Sequence, residues 1–300
     1  MDSALLEYIG KSLYQTDKLK ELKRYIVFRM RCVLHGEQVA KLDKFFSENE
    51  FRKALLKGTP SFFEQVTRSF FYKDSTWDER ANLVTEHIEL MESLFKQELL
   101  EELYVKNARV TLWEDSYEEK SLKMQLWFHG GQRKEGCLSL VLNYEETELY
   151  QIMFWLAKDK DAKPTIYIGA LQGVPNGSEI IKGLTKAFFG YRTKNLIFYG
   201  LRSFAKVIGA EKIYAVGNEG YYAMNGIRTD RKLKTDFGAF WEECEGEHSS
   251  DKRFYVMPVA EHRKSMEELK PSKRAQHRRR FAKMDELEAA VAERLAAYKK

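Results

Sequence analysis

Residues 165–218, TIYIGALQGVPNGSEIIKGLTKAFFGYRTKNLIFYGLRSFAKVIGAEKIYAVGN, hold two kinds of pattern in alternation. TIYIGAL (165–171) and KIYAV (212–216) are short apolar runs without polar alternation, as expected of strands covered on both faces. Between them, Gln172-Gly173-Val174-Pro175-Asn176-Gly177 reads as a turn, and Ser178 is suited to cap the helix that follows. That helix runs through Ile181, Leu184 and Phe188 and stops near Gly190; a second covers residues 194–208 and ends at Gly209, the position of a C′ glycine. Strand, two helices and strand in this order predict a crossover between parallel neighbours.

Outward from this unit the period changes. Residues 105–113, 121–129, 137–144 and 149–156 are rich in aliphatic and aromatic side chains and bounded by Gly, Asn, Asp or charge clusters, which predicts an antiparallel meander. Residues 130–136, GGQRKEG, read as the turn between two of its strands. Downstream, residues 236–244 read as a helix and 253–259 as a further strand. The first hundred residues read as helix. In residues 77–102, Val84, Ile88, Met91, Phe95 and Leu99 form one stripe, and Asp78 and Glu79 sit in the first turn, favourable for the dipole. Within residues 16–34, Leu19, Leu22, Ile26, Met30 and Val33 share a face, and Lys18, Lys20, Lys23, Arg24, Arg29 and Arg31 take much of the rest. Such a helix either packs its stripe on the core or lies on an anionic membrane; the core reading is the one adopted. After Pro271, Met284, Leu287, Val291, Leu295 and Tyr298 predict a terminal amphipathic helix.

The expected fold is thus α+β: a helical region (1–102) packed on a mixed, partly antiparallel sheet (103–262), then a basic segment and terminal helix (263–300). A chain of 300 residues with 44% hydrophobic and 13% aromatic residues can bury a sizeable core, which excludes a mainly disordered protein. The net charge of +5 is uneven, with acidic residues concentrated in 77–102 and basic ones in 263–283. Cys32, Cys137 and Cys244 are far apart and offer no disulfide framework. The N-terminal residues lack the apolar core of a secretory signal, and no stretch approaches the ~18–20 apolar residues of a membrane span. A cytoplasmic protein is expected, peripheral at the inner membrane if the basic segment meets anionic lipid.

No Walker loop, GxGxxG, HExxH or GxSxG is present. The six histidines never pair at i,i+4, so a metal site would need distant residues, with His129 and His262 the first candidates because each follows a predicted strand. The turn after TIYIGAL presents backbone N–H groups, and Gly169, Gly173, Asn176 and Gly177 would let a phosphate approach closely. Lys186 and Arg192 flank the predicted strand C-termini, where open α/β sheets bind ligands, and could clamp a phosphate or carboxylate. Gln172 is notable because a polar side chain beside glycines has little packing purpose. Residues 273–283 could meet nucleic acid, anionic lipid or an anionic substrate, or form a solvated face. With no aromatic interleaved except Phe281, nucleic acid is disfavoured.

AVGNEGYYAMNGI (215–227) resembles the end of the fifth strand of GNAT acyltransferases. The resemblance implies acyl-CoA as cofactor, Asn218 against its arm, and Tyr221 or Tyr222 protonating the departing thiolate; Tyr222 is the choice made here. It also implies GNAT-like connectivity. The family's pyrophosphate loop, Q/R-x-x-G-x-G/A, is absent. More broadly, IGALQG (168–173), GLTKAFFGYRTKNLIFYGLRSFA (183–205), IYAVGN (213–218), Asp236 with Phe240-Trp241-Glu242-Glu243, and KRAQHRRRFAKMDEL (273–287) occur in an order that resembles the VirK/YbjX family, over most of residues 90–298. That resemblance implies a bacterial protein connected with the cell envelope, virulence and tolerance of cationic peptides, and carries no established reaction. Asn218 and Glu179 on the matching motifs, with Tyr222 from the GNAT resemblance, are the catalytic candidates, and Gln172, Gly173, Lys186, Arg192, Arg274 and Arg280 the binding candidates. The leading expectation is acyl-type transfer to a peptide, lipid-linked or other envelope-related acceptor. Its rivals are a non-catalytic docking module at the inner membrane face, using the acidic and basic segments, and a metal-dependent peptide oxidase or hydroxylase.

Overall fold

The apolar runs of the central chain assemble into one eight-stranded sheet. In the computed structural model, which describes residues 3–175, 177–224 and 236–300, four strands form an antiparallel meander: β1 (Val110–Tyr117), β2 (Lys120–Trp127), β3 (Leu138–Tyr144) and β4 (Thr147–Lys158). β5 (Pro164–Gly173) continues it against β4, and β6 (Ile213–Val216) joins β5 in parallel. β7 (Glu247–His248) and β8 (Phe254–Met257) complete the order β1-β2-β3-β4-β5-β6-β8-β7. The expected α+β class with its meander and parallel crossover is what the molecule has. All seven residues of β3 are buried, because the sheet is covered on both faces.

Two layers of helix supply that cover. Neighbouring strand residues point to opposite faces, so Phe154 meets Phe204 on one side while Trp155 meets Phe71 on the other. The Phe204 side carries α8 (Ser178–Ala187), α9 (Thr193–Val207) and α11 (Pro271–Ala296). Gly200 of α9 lies against Met124 and Leu140, where a Cβ would fall 2.0 Å from Met124 Sδ. The opposite side carries the N-terminal helices: α1 (Ser3–Leu13), α2 (Leu19–Leu34), α3 (Gly36–Ser47), α4 (Glu50–Gly58), α5 (Ser61–Thr67), α6 (Trp77–Leu94) and α7 (Gln97–Leu100). Near the β6 end lies α10 (Phe237–Glu243). Buried side chains from Ile9 to Leu295 form one continuous core.

α6 begins with a capping box between Thr76 and Glu79, and the expected stripe is buried, Val84, Ile88 and Met91 on α6, Phe95 at its end and Leu99 on α7. His87 fixes it to the sheet. Its Nδ1 accepts from the Leu156 N–H at 3.1 Å, so Nε2 carries the hydrogen and bonds the Tyr104 hydroxyl at 2.7 Å. Burial pushes the His87 pKa down to about 3, and the ring is neutral.

Two expectations about the helices are corrected. The helix expected over 77–102 breaks after Leu94, because Phe95 turns extended and the Lys96 N–H bonds the Tyr298 carbonyl at 2.7 Å. And the stripe of α2 does not face the core: Phe28 and Cys32 do, while Leu19, Ile26, Met30 and Val33 point outward. At the other end, α11 buries Met284, Leu287, Val291 and Leu295. The basic run is part of this helix, and Lys283 joins it to Asp115 of β1 at 2.9 Å. No helix among the described residues is long and apolar enough to cross a membrane.

Candidate functional site

β5 and β6 pair only over Ile166–Ile168 and Ile213–Ala215, after which β5 continues against β4 alone. The 130–136 segment fills the space where they part. Gly169 admits it, since a Cβ there would lie 1.9 Å from the Glu135 carbonyl oxygen. Gly136 packs on Phe154, where a Cβ would fall 2.6 Å from the backbone nitrogen. Gln65 Nε2 donates to the carbonyls of Arg133 and Gly136, both at 2.7 Å, and the Phe71 N–H bonds the Lys134 carbonyl at 2.7 Å. A segment that reads as a simple turn is thereby fixed at Arg133, Lys134 and Gly136.

This seating buries the Glu135 side chain, which is 2% exposed. Its Oε1 accepts from the Tyr221 hydroxyl at 2.9 Å and from Gln172 Nε2 at 3.2 Å. Its Oε2 has no partner among the described residues. Burial pushes the carboxyl pKa up to about 7, against the pull of Tyr221, Lys134 and Gln172. Burial, the Glu135 charge and Tyr222 in turn hold the Tyr221 phenol well above its ordinary value, with a hydrogen bond to Tyr222 contributing. The Tyr221 and Tyr222 rings meet edge-on at 4.9 Å.

Tyr222 lines a cleft of about 440 Å³ between α2, the end of α5 and the 130–136 segment. Among the described residues lining it, Arg24, Arg31, Arg68, Arg133 and Lys134 oppose two carboxylates, Glu21 and Glu64. Glu64 is fully buried, bound by Arg133 Nε at 2.5 Å, Arg68 at 3.1 Å and the Tyr14 hydroxyl at 3.1 Å. Burial opposes its ionisation, yet Arg133, then Arg68, then Tyr14 hold its carboxyl below the ordinary value. Arg31 is lowered by burial and by the like charge of Arg68. The cleft is cationic and joined, through Tyr222 and Tyr221, to a buried acid.

A second, larger cleft of about 760 Å³ lies among α8, the start of α9 and α10. Glu179, Lys186 and Arg192 come together there. Its charges are largely matched: Glu179 holds Lys182 at 2.8 Å, and Arg192 pairs with Glu243. Asn218 reaches its edge by donating to Asp236 Oδ1 at 2.8 Å, and its own oxygen accepts the Phe237 N–H at 2.8 Å. Both ends of that amide serve the start of α10. Gly173 lies against the ring of Tyr150, another lining residue.

The remaining candidates stand apart from both clefts. Arg280 donates to the Phe189 carbonyl at 2.8 Å, holding the turn after α8, and Arg274 donates to the Leu269 carbonyl at 3.2 Å. His129 bonds Glu148 at 3.3 Å, whereas the His262 N–H lies 3.4 Å from Glu245 Oε2, so the two occupy separate networks. No three His, Cys, Asp or Glu among the described residues are placed to hold a metal ion. Asn176 and the end of the 215–227 motif lie outside the described residues. The sequence reading thus reached Gln172, Tyr221 and Tyr222 but missed Glu135 and the arginines. The available signals were three charges set between glycines, and one acid inside the apolar run Phe62-Phe63-Glu64-Gln65-Val66.

Residues 17–293 match the family described as "Protein of unknown function (DUF535)". The chain is similar to "Uncharacterized protein YbjX" of Escherichia coli (strain K12), 32% identical over 166 residues, or 53% of this chain and 49% of that protein. That match spans about half of the relative's length. Two uncharacterized proteins of Haemophilus influenzae are similar over more of the chain: one is 22% identical, covering 93% of this chain and 94% of its own, and the other 24% identical, covering 89% and 88%.

Proposed function

Because the chain belongs to the DUF535 family, whose description carries no reaction, we propose its chemistry from the site itself: acid–base catalysed group transfer on a negatively charged substrate. Glu135 carries this reading. A buried carboxyl titrating near neutrality, with one oxygen held by Tyr221 and Gln172 and the other unpartnered among the described residues, is suited to take up and return a proton at physiological pH. The cationic cleft beside it is suited to hold phosphate or carboxylate.

Acyl transfer to a peptide or envelope-related acceptor is the form we favour, on the resemblance of residues 215–227 to a GNAT strand end. The acyl-CoA thioester supplies the acyl group, its C–S bond breaking as a C–N or C–O bond to the acceptor forms. Arg24, Arg31, Arg68 and Lys134 hold the phosphates. The acceptor's proton passes inward through Tyr222 and Tyr221 to Glu135, which is buried behind the cleft. Tyr222 protonates the leaving sulfur and regains its hydrogen through Tyr221 from Glu135, so the relay ends as it began. Calorimetric titration of the full chain with acetyl-CoA tests the donor. Saturable binding that Arg31→Gln weakens about tenfold is expected. No binding of the thioester sinks acyl transfer, and binding indifferent to Arg31→Gln sinks this cleft.

A further inference from the structure

The outward face of α2 is a row of large apolar side chains with cations along both borders. At about 100° per residue, Ile26, Met30 and Val33 fall in line with Leu19, and Phe28, the buried anchor, is on the opposite side. Leu19 is 70% exposed, Val33 79% and Leu34 75%, and Val27 extends the row. Single exposed apolar residues are ordinary, whereas Ile26, Val27, Met30, Val33 and Leu34 exposed together on one side, with Leu19 in line, mark a contact surface. Lys20 and Lys23 border it on one side, Lys18 and Arg29 on the other. The one acid of the helix, Glu21, is paired with Arg24 at 2.5 Å.

We propose that α2 seats the protein on an anionic lipid bilayer, with Leu19, Ile26, Met30 and Val33 among the acyl chains and the bordering lysines at the level of the head groups. Charge selects this occupant. Two copies apposed through α2 would set Lys18, Lys20, Lys23 and Arg29 against the same four cations, while an anionic surface attracts all of them. The docking stands without the catalytic reading, since it uses neither Glu135 nor a substrate. Arg24 and Arg31 leave the flank of the same helix to line the cationic cleft, so a docked α2 holds that cleft beside the head groups.

Co-sedimentation of the full chain with phosphatidylcholine vesicles, and with equimolar phosphatidylcholine and phosphatidylglycerol, tests the surface. The protein is expected to sediment with the anionic vesicles alone. Ile26→Glu with Met30→Glu should abolish sedimentation, and Lys18→Gln, Lys20→Gln and Lys23→Gln together should weaken it about a hundredfold. Because all five positions are exposed, these variants keep the parent melting temperature. Absence of sedimentation, equal sedimentation with neutral vesicles, or anionic binding that survives Ile26→Glu with Met30→Glu overturns the proposal. So does a dimer in light scattering that those two substitutions dissociate.

Discussion

Tyr221 donates its hydroxyl hydrogen to Glu135 Oε1 across 2.9 Å, joining the segment after β6 to the β2–β3 connection 86 residues earlier. The bond makes the charge state of each group depend on the other. It also closes the gap where β5 and β6 part company.

Glu135→Gln isolates that dependence. A carboxyl raised from 4.5 to about 7 contributes stability that is fully present below pH 4.5 and lost as pH rises through 7, in all about 3 kcal/mol. The variant should therefore be the more stable protein at pH 8 and lose this falling slope, as read from urea denaturation between pH 4 and 9. The proposed transfer activity should fall at least about a hundredfold. Equal slopes in the two proteins would remove Glu135 from the titration.

His87 pulls the other way. With its pKa lowered from 6.5 to about 3, its contribution is present above pH 6.5 and lost as pH falls towards 3, in all about 5 kcal/mol. Between pH 4.5 and 6.5 the two slopes oppose each other. Glu135→Gln should thus uncover a stability that declines with acid, and His87→Leu should remove that decline. His87→Leu also strips partners from the buried Leu156 N–H and Tyr104 hydroxyl, costing about 3 kcal/mol at pH 7.

Removing Arg133 leaves the buried Glu64 carboxylate to Arg68 and Tyr14. Arg133→Gln should cost about 3 kcal/mol, and Arg133→Gln combined with Glu64→Gln should cost less than the single change. A double-mutant cycle by chemical denaturation reads this directly. Simple additivity would mean that the pair is not coupled.

Gly169 is the narrowest point of the site. A methyl group there meets the Glu135 carbonyl, so Gly169→Ala should displace residues 130–136 at a cost of about 2 kcal/mol. Trypsin should then cut at Arg133 or Lys134, and should spare both bonds in the parent. An intact segment after digestion would show that the contact can relax.

Where a pattern was both local and buried, it was legible. The α6 stripe and the largely apolar β3 were plain from their patterns, because each repeats one environment over consecutive turns or residues. The α2 stripe shows the limit of the same signal: periodicity reports that a helix has two faces, and only tertiary packing decides which turns inward. Phe28 and Cys32 made the smaller patch and took the core. The end of α6 depends on Tyr298, some two hundred residues on, which no local window contains. β1 began later than expected, because residues 101–105 wind into a wide helical turn. Glu135 was hidden for a related reason, since a charged residue between glycines reads as solvent until β5 and β6 are known to separate around it.

The place of α11 bears on how the chain is made. Glu288 binds Tyr199 and Lys206 of α9, at 2.8 and 2.7 Å, while Lys283 binds Asp115 of β1. A ribosome delivers the whole sheet and both of these surfaces well before it delivers α11. Until then, the nascent protein leaves β1 and the outer side of α9 without their cover, and the break at Phe95 unset. The docking of α11 therefore follows the formation of the sheet, and the interval before it is when a chaperone has most to hold.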